Sequence, residues 1–264
     1  MIGLAIALAA AAMPTDTDPA AYQSSPPRRT ITETRHWGPW AGPFRDTLVP
    51  VLMRDFGERY LYADANKALP PPQAGESRVV FLGDSITDRW DLARSFPGQP
   101  YVNRGIGAQV TAQMLVRFEQ DVVALQPRVV VIFGGTNDVS GFLQVETPAT
   151  MVANIAAMAT IAEANGIRVV LATLLPVNSD RPDRSYLARE RPSATLVAIN
   201  TAIRTLAREH GYALADYAPA LTDTRRQLKS SLTEDGLHPN ARGYALMTPV
   251  AAAAIAQALA EPIR

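Results

Sequence analysis

The sequence predicts an α/β fold in which a parallel sheet carries helices on both faces. From Val79 onward, apolar runs alternate with segments of helical periodicity, a rhythm typical of βαβ units and a parallel sheet. The apolar runs are continuous, as expected of strands buried on both faces. The length of 264 residues fits one large α/β domain or two small ones and is enough to bury a core.

Five strands and four long helices are predicted in this region. The strands are RVVFLG (78–83), YVNRG (101–105), RVVVIFGG (128–135), IRVVLATLLP (167–176) and YALADY (212–217). The helices cover residues 111–125, 148–166, 192–211 and 240–260. Pro148 near a first turn and Gly166 after a last turn mark the limits of the second helix.

The N-terminus suggests a targeting segment. The apolar run over residues 2–13 is too short to span a bilayer, which takes about 20 residues. It suits a signal peptide with a small-residue cleavage site at Ala10-Ala11-Ala12, although no Lys or Arg lies near Met1. Export to the periplasm or the medium is therefore expected; the alternative is a frayed apolar N-terminus on a cytoplasmic protein. The predicted organisation is a leader over 1–20, a linker over 21–45, a helical extension over 46–77 and the main domain over 78–264.

Composition narrows the classes of partner. Lys+Arg and Asp+Glu both number 25, so the formal charge is zero, and the basic excess of a nucleic-acid binder is missing. Without cysteine, the chain has no disulfides, thiolate nucleophiles or Cys-bound metal centres. Three histidines do not favour a His-rich metal site. We expect a small-molecule partner, no cofactor, no metal and no stable membrane span; oligomeric state is not readable.

Polar and glycine-rich clusters follow the predicted strands. In an open parallel sheet, ligands bind beyond the carboxyl ends of the strands, so these clusters should converge at one edge. They are GDSIT (83–87), NRGIG (103–107), GGTND (134–138), LPVN (175–178) and Asp216, and DGLHP (235–239) precedes the closing helix.

Ser85 is a candidate nucleophile with an ordinary alternative. A serine that opens a helix is commonly an N-cap, and a nucleophilic serine needs a base. His238, in a loop before Pro239, is the best candidate base. His210 ends a helix, where an imidazole complements the carboxyl terminus, and His36 lies in the linker-like region.

Asp235 stands three residues before His238 and is the candidate orienter of the imidazole. That spacing can bring a carboxylate to Nδ1, which would fix the tautomer and present Nε2 to the serine. Asp235-Gly236 can equally be a simple turn. Asp216, at the end of the fifth strand, is the competing carboxylate.

Three groups are candidate donors to an oxyanion. These are the backbone N–H of Ser85, the backbone N–H of Gly105 and the side-chain amide of Asn137. Gly105 is chosen because glycine lets a backbone approach a substrate closely. Taken alone, the GGTN segment would be a turn with an Asx cap.

Four ordered blocks resemble those of the SGNH hydrolases, also called the GDSL esterase/lipase family. They are GDSIT, Gly105 in NRGIG, GGTND and DGLHP, and the resemblance covers roughly residues 78–258. It implies a flavodoxin-like three-layer α/β/α sandwich with Ser85 as nucleophile, His238 as base and Asp235 as orienter. Ser85, Gly105 and Asn137 would form the oxyanion hole. The lead-in to the first block is similar to a bacterial lysophospholipase-like or acetylhydrolase-like subgroup.

The resemblance implies a serine esterase that acts on small or short-chain acyl esters of a small-molecule, glycan or lipid substrate. Lysophospholipids and acyl thioesters would need the same mechanism. A non-catalytic carbohydrate- or anion-binding protein is the alternative of another class. The second block reads GIGAQVTAQ where a GISGQTT-like loop is expected. The charged loop 177–193 can cover the acyl or leaving-group side, where its four arginines would favour an anionic or sugar-rich leaving group; the alternative is a solvated surface loop.

Overall fold

The computed structural model of the chain describes residue 38, residues 41–143 and residues 146–260. The predicted leader, most of the predicted linker and His36 lie outside the described residues.

The centre of the fold is a five-stranded sheet in which all pairs are parallel, in the order β2-β1-β3-β4-β5. The strands are β1 (Val79–Gly83), β2 (Tyr101–Gly105), β3 (Val129–Phe133), β4 (Arg168–Ala172) and β5 (Ala213–Ala215). The prediction of an α/β fold with five parallel strands is confirmed. β3 ends at Phe133, directly before Gly134 and Gly135, and β4 ends at Ala172, before its predicted limit at residue 176.

Helices cover both faces of this sheet. They are α1 (Ala41–Leu52), α2 (Tyr60–Ala68), α3 (Ser85–Asp88), α4 (Leu92–Ser95), α5 (Thr111–Val116), α6 (Phe118–Asp121), α7 (Thr136–Ser140), α8 (Pro148–Ala164), α9 (Tyr186–Glu190), α10 (Ser193–His210), α11 (Ala218–Leu221) and α12 (Ala241–Ala260). Single 3₁₀ turns cover Val123–Leu125, Pro182–Arg184 and Ser230–Leu232.

The apolar runs are continuous because each strand feeds two cores. Val79 and Phe81 of β1 point to a core that includes Met247 and Ile255 of α12. Val80 and Leu82 point to the opposite core, which is built from α5, α8 and α10. Successive strand residues face opposite sides of a sheet, so burying both faces requires an apolar residue at each position.

The predicted helix over 111–125 is divided into α5, α6 and a 3₁₀ turn. The break falls at Arg117, whose backbone leaves the helical region (φ −97°, ψ 4°). The Arg117 side chain is buried and donates to the Gly83 carbonyl oxygen (2.9 Å), Asp121 Oδ2 (3.0 Å) and Gln109 Oε1 (2.6 Å). The apolar pattern runs through both pieces, so periodicity alone could not reveal the break.

The N-terminal extension consists of two helices, and α1 begins five residues before the predicted boundary at residue 46. Polar contacts join it to the main domain. Tyr62 donates from its hydroxyl to the Gly105 carbonyl oxygen (2.5 Å), and Asn66 Nδ2 donates to Asp121 Oδ1 (2.6 Å). Gln109 Nε2 donates to the Gly57 carbonyl oxygen (3.0 Å). The extension is thus attached beside the end of β2.

The closing helix α12 is long and apolar enough, by length and composition alone, to cross a membrane. A core helix of a soluble domain passes the same test. The buried residues of α12, among them Met247, Ala251 and Ile255, pack into the core on one side of the sheet.

Candidate active site

The candidate site lies at the carboxyl ends of β1 and β3, which are neighbours although β2 separates them in the sequence. This is the switch point of the sheet, where the crossovers on either side leave a crevice. Ser85 begins α3 directly after β1, and Asn137 lies in α7 directly after β3. Gly83 ends β1 where a Cβ atom would collide with the Phe133 carbonyl oxygen and the Thr87 side chain.

Ser85 and His238 are hydrogen-bonded across 153 residues of sequence, with 2.8 Å between Oγ and Nε2. The N-cap of α3 is Asp84, whose side chain accepts from the Ile86 N–H at 2.9 Å. The serine hydroxyl therefore does not cap the helix and instead meets the imidazole.

Asp235 holds the other side of the imidazole. Its Oδ2 lies 2.6 Å from His238 Nδ1, while its Oδ1 accepts the backbone N–H groups of Leu237 (2.9 Å) and His238 (2.8 Å). Partial burial raises the pKa of this carboxyl, but the hydrogen bonds from His238 and Leu237 and the charge of His238 outweigh burial and hold the pKa well below its usual value. Asp235 is thus an ionised acceptor fixed by backbone donors at neutral pH.

Asp216 and His210, the alternative candidates for the orienting carboxylate and the base, do not line the cavity that contains Ser85. Asp216 accepts two hydrogen bonds from Arg204 (2.9 and 2.8 Å) and one from the Thr173 hydroxyl (2.9 Å), so its carboxylate is a structural ion-pair partner. His210 ends α10 ahead of Gly211 and stacks on the ring of Tyr212, with 5.2 Å between centroids. This is the structural position predicted for His210.

Asn137 lines the same cavity as Ser85 and His238. Its side-chain amide donates one N–H to the Gln109 carbonyl oxygen at 3.0 Å. The amide has a second N–H, and the bond to Gln109 fixes its plane. Asn137 therefore has a fixed amide in the cavity that Ser85 lines, and its second N–H donates to no residue in the described part of the chain.

Gly105 is not a cavity residue, and its predicted role as an oxyanion donor is wrong. Its N–H donates to Asn103 Oδ1 at 2.8 Å, so that donor is already used. A Cβ at this position would collide with the backbone of Thr87 and Asp88, so the glycine is needed for packing against α3. The close approach predicted for Gly105 exists, but it is made to the protein's own helix.

Ala108 is the backbone group that sequence reasoning missed. It lines the cavity with Ser85 and Asn137, and its φ of 66° lies in the left-handed region. Among the residues that the structure describes, its N–H donates no hydrogen bond. The departure of the second block from its expected pattern was the only sequence signal at this position.

A buried network of hydrogen bonds connects the first residue of α7, Thr136, to Arg191, Glu190 and Gly38. Arg191 donates from Nε to the Thr136 hydroxyl (3.1 Å) and from Nη1 to Glu190 Oε2 (2.7 Å), and Glu190 Oε1 accepts the Gly38 N–H (2.7 Å). Burial raises the pKa of Asp84 to about 7, helped by the charge of Asp138 and opposed by hydrogen bonds from Ile86 and Gly135 and by Arg191. The network ties the start of α7 to the segment that leads into α1.

The cavity has a volume of about 410 Å³, is open to solvent and is lined by Ser85. Phe44 of α1 and Phe142, just after α7, form an apolar wall, with 6.0 Å between their ring centroids. The loop 177–193 supplies a second wall through Arg184, Tyr186 and Leu187. That loop thus borders the site, as one of the two sequence interpretations expected.

A five-stranded parallel sheet with helices on both faces, and with serine, histidine and aspartate side chains in contact at its switch point, is the arrangement expected of a serine hydrolase with a flavodoxin-like fold. The family model for the GDSL-like lipase/acylhydrolase family matches residues 81–246. The chain belongs to that family, and the predicted membership of the SGNH hydrolases is confirmed.

Solved structures of similar fold agree with this family. A candidate acylhydrolase from Bacteroides fragilis is 33% identical, with 78% of this chain and 99% of that chain covered and a TM-score of 0.72. A GDSL-like lipase from Bacteroides thetaiotaomicron is 34% identical, with 77% and 100% covered and a TM-score of 0.71. An acetylxylan esterase from Geobacillus stearothermophilus is 21% identical, with 68% and 94% covered and a TM-score of 0.54, and shares the fold.

A comparison with curated proteins gives no match. The family and the structures together make the chain a hydrolase that acts on ester bonds. The alternative of a non-catalytic binding protein is thereby set aside.

Proposed function

We propose that the chain is a serine carboxylesterase for short acyl groups, with Ser85 as nucleophile, His238 as general base and Asp235 as the orienting carboxylate. The observation that carries the proposal is the continuous chain of contacts Asp235 Oδ2–His238 Nδ1 (2.6 Å) and His238 Nε2–Ser85 Oγ (2.8 Å). A nucleophile, a base within hydrogen-bond reach and a group that orients the base are the parts that acyl transfer requires.

The reaction follows from these contacts. Ser85 Oγ attacks the ester carbonyl while His238 Nε2 takes its proton, and the imidazolium is stabilised by ionised Asp235. The tetrahedral intermediate collapses to an acyl-serine as His238 returns the proton to the leaving alcohol. Water, activated by the same imidazole, then releases the acid and regenerates the serine.

The developing oxyanion would be held by the backbone N–H groups of Ser85 and Ala108 and by the second N–H of Asn137. Ala108 takes the place first assigned to Gly105. Ala108 lines the cavity in a left-handed turn, its N–H donates no hydrogen bond to the described residues, and the Gln109 carbonyl oxygen fixes the Asn137 amide. Preorganised donors of this kind stabilise the transition state more than the ground state.

Asn137→Ala is expected to lower kcat for 4-nitrophenyl acetate by about 10²-fold or more, the usual effect of losing one oxyanion donor. KM should change little, because the donor acts mainly in the transition state. The comparison is Asn154→Ala, which removes an amide that donates to the Thr111 hydroxyl and does not line the cavity. Equal kcat for the wild type and Asn137→Ala, with both folded, would remove Asn137 from the oxyanion hole.

Short acyl chains are favoured by the aromatic wall. Phe44 reaches the cavity from α1 and contacts Phe142, which is buried, so the space beside Asn137 is bounded on the apolar side. An acyl chain that enters on this side meets two rings after a few carbons. The same mechanism would serve lysophospholipids or acyl thioesters. Acyl-chain length separates lysophospholipids from short-chain esters, and a thioester with the same acyl group as an ester tests the preference for the leaving atom.

Phe44→Ala is expected to shift selectivity toward longer acyl chains. Each methylene that the enlarged wall buries contributes about 0.8 kcal/mol, so two further methylenes should raise relative kcat/KM about tenfold. The measurement is a series of 4-nitrophenyl esters from two to twelve carbons, compared as ratios to the acetate. Phe56→Ala, which alters the neighbouring linker between α1 and α2, is the control. An unchanged chain-length profile would show that Phe44 does not bound the acyl site.

Covalent labelling tests the proposal as a whole. A fluorophosphonate probe should form one adduct, on the peptide that contains Ser85. Failure of the folded protein to label or to hydrolyse any ester in the series would refute the serine-esterase mechanism.

A further inference from the structure

Two arginines on the cavity wall, Arg89 and Arg184, differ from three other arginines in how their guanidinium groups are paired. Arg225 bonds Asp180 at 2.9 and 2.6 Å, Arg181 bonds Asp183 at 3.1 and 3.0 Å, and buried Arg191 bonds Glu190 at 2.7 Å. These three guanidinium groups have short carboxylate partners. Arg89 and Arg184 line the cavity together with Ser85 and His238 and have only long ones.

Arg89 follows α3 and projects beside Asp235. Within the described part of the chain, its only ion-pair contact is 3.5 Å from Nη1 to Asp235 Oδ2, an oxygen already bonded to His238. Its side chain is 56% exposed. Asp88 lies near enough for Arg89 to oppose the rise in the pKa of Asp88 that burial causes. Most of the five N–H donors of Arg89 therefore face solvent at the cavity.

Arg184 approaches from the opposite wall, in the 3₁₀ turn Pro182–Arg184. Its Nη1 donates to the Tyr186 hydroxyl at 3.3 Å, and its Nε lies 3.5 Å from Asp183 Oδ2, an oxygen that Arg181 already binds. The side chain is 35% exposed. Its Nε is buried, but its Nη2 donates no hydrogen bond to the described residues, and Arg184 lines the cavity together with Asp235 and His238.

We propose that Arg89 and Arg184 bind an anionic group, a carboxylate or a phosphate, on the alcohol half of the substrate. This inference rests on the proposed esterase function. His238 delivers its proton to the leaving alcohol. Arg89 Nη1 lies 3.5 Å from Asp235 Oδ2. Arg184 lines the same cavity, where the hydrogen bond to Tyr186 and the charge of Asp235 help to raise the pKa of its guanidinium. We therefore assign both arginines to the leaving-group side. The apolar wall of Phe44 and Phe142 lies on the Asn137 side. A planar guanidinium fork matches the oxygens of a carboxylate or a phosphate.

The test uses pairs of acetate esters that differ in charge on the alcohol half. One pair is 1-acetylglycerol 3-phosphate and 1-acetylglycerol; the other is O-acetyl-lactate and O-acetyl-lactamide. The readout is the ratio of kcat/KM for the anionic ester to that for the neutral ester. The wild type should give a ratio above one, which falls as NaCl is raised because the pair is partly exposed. The pair with the larger ratio identifies phosphate or carboxylate.

Arg184→Gln and Arg89→Gln should each lower this ratio about tenfold or more, as expected for loss of a hydrogen bond to a charged group. The double variant should lose the salt dependence as well. Arg208→Gln is the matched control, since it removes an exposed arginine from the last turn of α10, away from the cavity. Because Arg89 touches Asp235, Arg184→Gln is the decisive single variant.

Two results would overturn this inference. One is a wild-type ratio near one in both pairs while the neutral esters are hydrolysed, which leaves the esterase proposal standing. The other is a ratio that Arg184→Gln and the double variant leave unchanged. A protein that neither hydrolyses the neutral esters nor labels at Ser85 would instead refute the esterase mechanism itself.

Discussion

Ser85→Ala is expected to lower kcat for 4-nitrophenyl acetate by about 10⁴-fold or more, because no acyl-enzyme can form without the hydroxyl. The remaining rate would come from substrate binding and the oxyanion donors. The Ser85 side chain bonds His238 and does not cap α3, which Asp84 does, so the fold should be retained. Steady-state kinetics, with far-ultraviolet circular dichroism as the check on folding, measure the effect.

Ser193→Ala is the matched control, since Ser193 is an exposed serine that opens α10 outside the catalytic cavity. It should keep wild-type turnover and the fluorophosphonate adduct, whereas Ser85→Ala should lose both. Full turnover by Ser85→Ala would end the acyl-enzyme mechanism, and an adduct on another residue would move the nucleophile elsewhere.

The sheet could be predicted because its strands are buried on both faces. Val79 through Leu82 and Val129 through Ile132 alternate between two cores, and both faces demand apolar side chains. The ends of helices were harder to predict from the sequence where a polar side chain is buried. The helix breaks at Arg117, between α5 and α6, and the Arg117 side chain donates a hydrogen bond to the Gly83 carbonyl oxygen. This tertiary contact cannot be seen in the apolar pattern of the sequence.

The positions of Ser85, His238 and Asp235 could be predicted because each depends on local sequence. A strand-to-helix turn exposes Ser85, and a three-residue separation brings Asp235 to His238. Ala108, the oxyanion donor that we propose in the second block, could not be predicted in this way. That proposal depends on the positive φ of Ala108 and on Asn103, which accepts the N–H of Gly105.

The aromatic wall of the cavity, Phe44 and Phe142, also could not be predicted from the sequence. Phe44 comes from residues predicted as linker, and no pattern there connects it to Phe142 almost 100 residues later. The segment before α1 has a further long-range contact, in which the Gly38 N–H donates to buried Glu190. The wall that we propose to limit the acyl chain therefore depends on tertiary contacts, whereas the proposed reactive groups lie in short motifs.

Asp235→Asn is expected to lower kcat about 10³- to 10⁴-fold while the fold is retained, by reversing the tautomer of His238. The asparagine carbonyl oxygen can replace Oδ1 as acceptor for the N–H groups of Leu237 and His238. The amide nitrogen then faces Nδ1, which must become an acceptor. The imidazole proton moves to Nε2, where it points at Ser85 Oγ, and the ring can no longer remove the serine proton.

Asp216→Asn separates this orientation effect from a general loss of carboxylate charge. Asp216 was the competing orienter, and its contacts are with Arg204 and Thr173. Since this ion pair is partly exposed, the substitution should cost at most about 1 kcal/mol of unfolding free energy and leave kcat near the wild-type value. An Asp235→Asn variant with wild-type kcat, or an equal loss in Asp216→Asn, would assign the orientation of His238 to another group. If kcat falls in Asp235→Asn and not in Asp216→Asn, the loss of kcat is due to the tautomer of His238, because Asp235→Asn keeps the size and the backbone contacts of the side chain.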